Sequence, residues 1–422
     1  MRLVVFGLSI TSSWGNGHAT LWRGLVRALT RRGCRVVFFE RDEPYYAANR
    51  DLNEIPGAEI VLYGDWEDVR PQAAKKLREA DAAIATSYCR DAIAATELMH
   101  ETGRVLSVFY DLDSPVTLAR LGEGESVDYV GPRGLRDFDL VLSYTGGQAL
   151  DELQNRLGAK RALPLYGHVD PEVHRPVPPA AHYRADLSYL GTYAADRQTA
   201  LEALFMEPAR RRPAQRFLMG GAQYPADFPW SDNIYFVRHL PPSEHPAFYS
   251  SSRLTLNVTR RAMAEMGWCP PGRLFEAAAC GVPIITDLWP GLESFFEPSR
   301  EVLLARDADD VLAALDLTDA ELARIARCAR ERTLTEHTSH SRAEELLQLI
   351  STAMATASHA PIPVEQALPS PWRGGVGGGG APSSDASTVA RPHPRAFRRA
   401  ALPVKERALE GSDSRPPHRR AK

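Results

Sequence analysis

At 422 residues the chain is long enough for about two ordinary domains, because single cores seldom grow much beyond ~250 residues. Hydrophobic residues make up 44% and charged residues 24%, the balance of a soluble globular protein, and no apolar run approaches the ~20 residues that cross a bilayer, so a spanning protein is excluded. The net charge of −3 hides an asymmetry: residues 371–422 hold 11 Lys and Arg against four acidic residues, which leaves −10 on residues 1–370.

The opening "MRLVVFGLSI" has one basic residue, an apolar stretch broken at Gly7 and polar "TSSWGNGH" straight after, so it reads as a buried first strand and not as a leader. "ATLWRGLVRALTRRG" follows as a helix closed by Gly33, then "RVVFFERD", "AEIVLYGD", "DAAIATSY", "RVLSVFYDLD" and "FDLVLSYT" continue as short apolar strands. After a proline-rich connection at about 163–185 the alternation restarts with "DLSYLGTY", the helix "QTALEALF", "QRFLMGGAQY", "IYFVRHL", the helix "HPAFYSS", "LTLNVTR" and "REVLLARD". "RAEELLQLI" puts Ala343, Leu346, Leu347 and Ile350 on one face, as a closing helix packed on the body requires. The pattern predicts an α/β protein of two Rossmann-like, doubly wound domains facing across a cleft: residues 1–165, a linker at 166–185, residues 186–335, a closing helix at 336–355 and a basic tail at 356–422. The tail is rich in Pro, Gly and Arg and short of large apolar residues, so disorder is expected; without interleaved aromatic residues, specific nucleic-acid binding is not. Cys34, Cys89, Cys269, Cys280 and Cys328 are odd in number, far apart and never C-x-x-C, which predicts neither a disulfide framework nor a zinc site and points to the cytoplasm.

Chemistry concentrates in the turns after strands, where open α/β sheets bind ligands. The first turn, "GLSITSSWGNGHAT", lacks G-x-G-x-x-G but offers Trp14, Asn16 and His18; His18 serves either the cleft or the helix cap, and Glu40 and Asp42 stand where a nicotinamide enzyme keeps its ribose acid. "FYDLDSPVTL" ends another strand with Asp111 and Asp113, in the loop a potential base or hydroxyl-binding pair and otherwise turn caps, too few for a hard-metal cage. "YLGTYAADRQTAL" gives Gly191, Thr192 and Arg197 at a strand–turn–helix junction suited to a diphosphate, unless Arg197 merely forms a surface ion pair. Gly220 and Gly221 permit close backbone approach, and Asn257 closes the strand before "GRLFEAAACGVPIITD", whose helix carries Arg273 and Glu276 and ends at Gly281. Glu276 is either an acid favoured by the helix dipole or a carboxylate that accepts from both ribose hydroxyls.

Three stretches, "YDLDSPVTL", "LNVTRRAMAEMGWCPPGRLFEAAACGVPIITD" and "GLESFFEPSREVLL", make residues 1 to about 350 resemble the GT-B glycosyltransferases, and within them the bacterial CgeB-like group named for a spore-maturation protein, related to the group 1 enzymes. The resemblance implies a hexosyltransferase-like enzyme that moves a sugar from a UDP-, GDP- or TDP-sugar to a polar acceptor, with no tightly bound cofactor and no metal. It implies that Glu276 binds the nucleotide ribose and Arg197 the diphosphate; the turns themselves add Gly191, Thr192, Gly220, Gly221, Asn257 and Arg273 as donor-binding candidates. The acceptor side falls to Trp14 and Asn16, with His18, Asp111 and Asp113 as candidates for base catalysis. Group 1 enzymes also tend to carry a second basic residue five positions before the first and a second Glu eight positions before the ribose acid. This chain has Thr192 and Trp268 there, and retaining and inverting chemistry both stay open. Two other readings remain: a non-catalytic nucleotide-sugar binder, and a nicotinamide-dependent oxidoreductase.

Overall fold

Thirteen strands form two all-parallel sheets in the computed structural model, which describes residues 1–358. The tail expected over 356–422 lies outside the described residues but for its first three. In the first sheet the strands are β1 (Arg2–Gly7), β2 (Arg35–Arg41), β3 (Ala58–Tyr63), β4 (Ala82–Thr86), β5 (Leu106–Asp111), β6 (Leu140–Ser143) and β7 (Ala162–Pro164). Their order is β3-β2-β1-β4-β5-β6-β7. The second sheet holds β8 (Ala185–Leu190), β9 (Phe217–Gly221), β10 (Ile234–Arg238), β11 (Ser252–Asn257), β12 (Ile284–Thr286) and β13 (Leu303–Leu304), ordered β10-β9-β8-β11-β12-β13. In both sheets the winding direction reverses beside the first strand, between β1 and β4 and between β8 and β11. Loops on either side of such a reversal diverge and leave a crevice at the carboxyl ends of the strands.

The central strands are apolar along most of their length because both faces are covered, whereas the edge strands β3 and β10 are only partly buried. Val4 and Phe6 enter one core with the helices Trp66–Glu79 and Ala92–Thr102, whereas Leu3 and Val5 enter another with Trp22 and Leu25 of the helix Gly17–Arg31. The same alternation divides Leu187 and Tyr189 from Leu190 in β8. This is the period of two expected of strands buried on both sides.

The closing helix, Ser339–Ser358, packs on the first sheet and not on the second that precedes it in sequence. Ala343, Leu346 and Ile350, fully buried, join the core of Leu3, Trp22 and Leu25. Its crossing is fixed by the linker: Val169 N–H donates to His337 O at 3.0 Å, and Ser339 N–H to Val169 O at 2.7 Å. Gly24 permits this approach, since a Cβ there would stand 2.4 Å from Ser339 Oγ.

Two expected elements differ in detail. The helix begun at Gln198 continues to Arg211 through a π-helical turn at Glu202–Met206, just before Pro208. Pro208 has no N–H to give and would collide with an ordinary preceding turn, which the wider turn relieves. The strand expected in "REVLLARD" shrinks to Leu303–Leu304, because only those residues face β12. No helix among the described residues is long and apolar enough to cross a membrane.

Candidate functional site

The carboxyl ends of both sheets open on one cavity of about 290 Å³. His18 and Asn16 border it from the first sheet; Gly191, Thr192, Arg197, Gly221, Arg260, Arg273 and Glu276 border it from the second.

On the first side the loop after β1 is held by Glu40. Its fully buried carboxylate accepts from Ser9 Oγ at 2.8 Å, Thr11 Oγ1 at 2.6 Å, and the backbone N–H groups of Ile10 and Thr11 at 2.7 and 3.0 Å. A carboxylate so engaged has no capacity left for a ribose, and Asp42 is paired with Arg50 at 2.7 Å. The nicotinamide reading therefore loses the acid it rested on. Asn16 is the cap of the helix Gly17–Arg31, accepting from His18 N–H at 3.1 Å while its amide donates to Ser9 O and Ser12 O. It borders the cavity with its amide N–H groups already engaged by the loop, which leaves only the second lone pair of Oδ1 for a ligand. Trp14 is not among the lining residues; its ring packs at a 46° tilt against His239 of the second half, centroids 4.1 Å apart. His18 presents its imidazole to the cavity, and burial pulls its pKa down to about 4, so it is a neutral base at pH 7.

Asp111 and Asp113 do not reach one ligand together. Asp111 is the last residue of β5, fully buried, and accepts from Asp113 N–H at 3.0 Å and Thr117 Oγ1 at 3.2 Å. Asp113 lies beyond the strand end, accepts from Tyr88 Oη at 2.6 Å and faces Arg260 at 3.4 Å. Burial raises the pKa of Asp113 to about 6, against the pull of Tyr88 and Arg260, and one of its oxygens has no partner among the described residues.

On the second side, two glycine turns lie backbone to backbone. Gly191 N–H donates to Gly220 O at 2.9 Å, and a Cβ on Gly221 would stand 2.0 Å from Gly191 O. Gly220 supports the turn from beneath, whereas Gly191 and Gly221 reach the cavity. Arg197, 6% exposed, donates to Tyr189 Oη at 3.1 Å and to Thr192 O at 2.9 Å. Arg273 donates to Val258 O at 3.0 Å and to Asn257 Oδ1 at 3.3 Å, so Asn257 orients a guanidinium and does not itself line the cavity. Neither arginine has a carboxylate partner among the described residues. Burial, with the charge of Arg273 nearby, pulls the Arg197 pKa down. Two such cations at one cavity favour a dianionic ligand.

Glu276 projects from the helix Gly272–Cys280, which lies close to its neighbours because Ala277, Ala278 and Ala279 are small and buried, and which ends at Gly281 with φ 78°. Its carboxylate stands 3.4 Å from His245 Nδ1 and 3.9 Å from His174 Nε2. Burial alone would raise its pKa; the two imidazoles and Arg273 outweigh that and hold it at about 2. Trp268, in the place of a second Glu, is not among the lining residues; a Cβ on Gly147 or Gly291 would meet its ring at 2.6 Å, so it is wedged between the two halves.

Sequence reasoning missed three residues. Arg260, three residues past β11 at the reversal of the second sheet, spans Asp113 and Asp196 at 3.4 Å each; its position after a switch-point strand was the available signal. His174, in the linker, and His245, at the start of the helix His245–Ser250, carry no local signal.

Residues 197–348 match the family model described as Glycosyl transferase-like. Among curated protein sequences none matches. Similar solved structures include the sucrose-phosphate synthase of Thermosynechococcus elongatus, 14% identical, covering 84% of this chain and 99% of that one with a TM-score of 0.61. HepE of Anabaena, solved in complex with UDP and glucose, is 11% identical over 83% of this chain and 100% of its own, TM-score 0.59. A glycosyltransferase from Rickettsia africae is 11% identical over 84% and 98%, TM-score 0.54. At these identities the likeness concerns the fold, which is the two-domain GT-B architecture.

Proposed function

We propose that the chain is a glycosyltransferase that moves a sugar from a nucleoside diphosphate sugar, bound by residues 186–335, to a polar acceptor approached from residues 1–165. The observation that carries this reading is the pair of guanidinium groups, Arg197 and Arg273, that face one cavity without a carboxylate partner among the described residues while Glu276 stands beside them. A departing diphosphate is stabilised by such preorganised donors, together with the backbone N–H groups of the glycine turns. Arg273 takes the part of the second basic residue that Thr192 lacks, and Glu276 receives the ribose hydroxyls. The match over residues 197–348 supports the donor half in particular, and the UDP bound to HepE supports a nucleoside diphosphate as ligand.

With two arginines neutralising the diphosphate, the chemistry needs no divalent cation. His18, at the cavity wall, is the group placed to take a proton from an acceptor hydroxyl; Asp113 is not among the lining residues and serves as base only if the acceptor approaches past Arg260, with Asp111 positioning it through its backbone. The CgeB-like subgroup, hexosyl transfer and a cytoplasmic setting belong to the same proposal and rest on the motif "GRLFEAAACGVPIITD" and its surroundings.

Release of nucleoside diphosphate from UDP-, GDP- and TDP-sugars, followed with and without a pool of glycan and small-molecule acceptors, tests the reading. Acceptor-dependent release with one donor, lost in Glu276→Ala, is expected. Tight donor binding with no release under any acceptor would instead favour a non-catalytic nucleotide-sugar binder.

A further inference from the structure

Behind the ribose clasp, three donor atoms from distant parts of the chain converge. His174 Nε2 and His245 Nδ1 are 3.4 Å apart, His245 Nδ1 and Glu276 Oε2 3.4 Å, and His174 Nε2 and Glu276 Oε1 3.9 Å. These separations are long for hydrogen bonds, whose ordinary range ends at about 3.2 Å. They are close to another standard: a tetrahedral Zn²⁺ bound at about 2.0–2.1 Å keeps its ligand atoms about 3.3 Å apart. Two of the three edges match that figure closely.

The orientation of the rings points the same way. His245 Nε2 is turned towards Leu240 O at 3.3 Å, a group that can only accept, which leaves Nδ1 facing the Glu276 carboxylate, where either a proton or a metal cation must sit between the two. A proton would suffice for two groups, but a third donor atom completes the set: His174 is 1% exposed and makes no hydrogen bond of ordinary length among the described residues. An imidazole–carbonyl contact behind a ligand is also the usual outer support of a metal-binding histidine. His245 and Glu276 line the cavity, so a fourth coordination position would open towards it.

We infer that His174 Nε2, His245 Nδ1 and the Glu276 carboxylate form a site for a transition-metal dication of the Zn²⁺ class, and that metal there and nucleoside diphosphate in the cavity exclude one another. The exclusion, which rests on Glu276 being the ribose clasp, follows because metal and ribose hydroxyls compete for the lone pairs of one carboxylate, whose charge the metal would neutralise. The site is then inhibitory, and does not take part in transfer.

Co²⁺ is the probe, titrated into the full chain after chelator treatment. One equivalent should bind and give the strong visible bands of four- or five-coordinate Co²⁺ with nitrogen and oxygen ligands. His174→Gln and His245→Asn should each weaken binding by more than the roughly 10–100-fold that loss of an outer-shell partner costs, whereas Arg273→Ala should leave the spectrum unchanged. Zn²⁺ at saturation should weaken UDP binding by at least about tenfold, and EDTA should restore it. No visible spectrum from the unaltered chain, or thiolate charge-transfer bands, would overturn the site; a UDP affinity indifferent to Zn²⁺ would overturn the exclusion. Failure of the metal-free chain to bind any nucleoside diphosphate would count against the transferase reading alone, since the cobalt spectrum decides the site without nucleotide.

Discussion

Glu276 sits where the helix dipole alone could account for an acid, yet imidazoles from the linker and from a neighbouring helix surround it and Arg273 stands one turn away. Replacing it with Ala should weaken nucleoside diphosphate binding by about 10–100-fold, the equivalent of one or two hydrogen bonds to a charged group at about 1.5–3 kcal/mol, as read by calorimetry. Asp113 makes a prediction in pH. Its pKa of about 6 lies above the ordinary carboxylate value, so as a base it is available only above that pH; transfer should fall as pH drops through about 6, and Asp113→Asn should remove that limb. An acid limb unchanged in the variant would exclude Asp113 as the base. Glu276, Arg197 and Arg273 were legible in the sequence because each lies in a short motif at a strand–turn–helix junction. Arg260, His174 and His245 were not, since their roles arise from partners 31 to 147 positions away, and no local pattern encodes such a meeting.

Among the elements, the closing helix binds the two halves together by packing on the first sheet after the second is complete. Leu346→Ala, at a fully buried position against the core of Trp22 and Leu25, should cost about 2–5 kcal/mol in denaturant unfolding. Gly24→Ala should cost about 1–3 kcal/mol, because its Cβ would stand 2.4 Å from Ser339 Oγ, a hydroxyl already bonded to His168 at 2.9 Å. Neutral behaviour of both variants would contradict the packing described. Most strands of both sheets were legible because parallel strands buried on two sides read as continuous apolar runs, but β7, which falls at the start of the expected proline-rich connection, was not. The π-turn before Pro208 and the short β13 were not: a proline permits several local solutions, and the length of an edge strand depends on its neighbour, here β12. The helix Ser339–Ser358 announced its apolar face but not its partner, since periodicity carries no address.

At the scale of the molecule, buried imidazoles set the acid limit of stability. His168 and His337 both lie at the crossing of the closing helix, and burial, with the charge of Arg342, lowers each pKa to about 3. The unfolded chain takes up protons near 6.5 that the folded chain refuses, so the stability present above pH 6.5 is lost progressively as pH falls towards 3. The melting temperature should drop steeply over that range; a flat profile between pH 6.5 and 4 would show that these groups titrate normally. The two-domain architecture was legible from the alternation of strands and helices and from its restart after the linker, whereas the cavity appears only when the carboxyl ends of both sheets face it. The central claim is that this cavity binds a nucleoside diphosphate between Arg197, Arg273 and Glu276. Calorimetric titration of the chelator-treated chain with UDP, GDP, ADP, TDP and NAD(P) tests it most directly. One diphosphate is predicted to bind at a single site and to lose that binding in the Arg197→Ala, Arg273→Ala double variant; binding of NAD(P) alone, or a diphosphate affinity unchanged in the double variant, would contradict it.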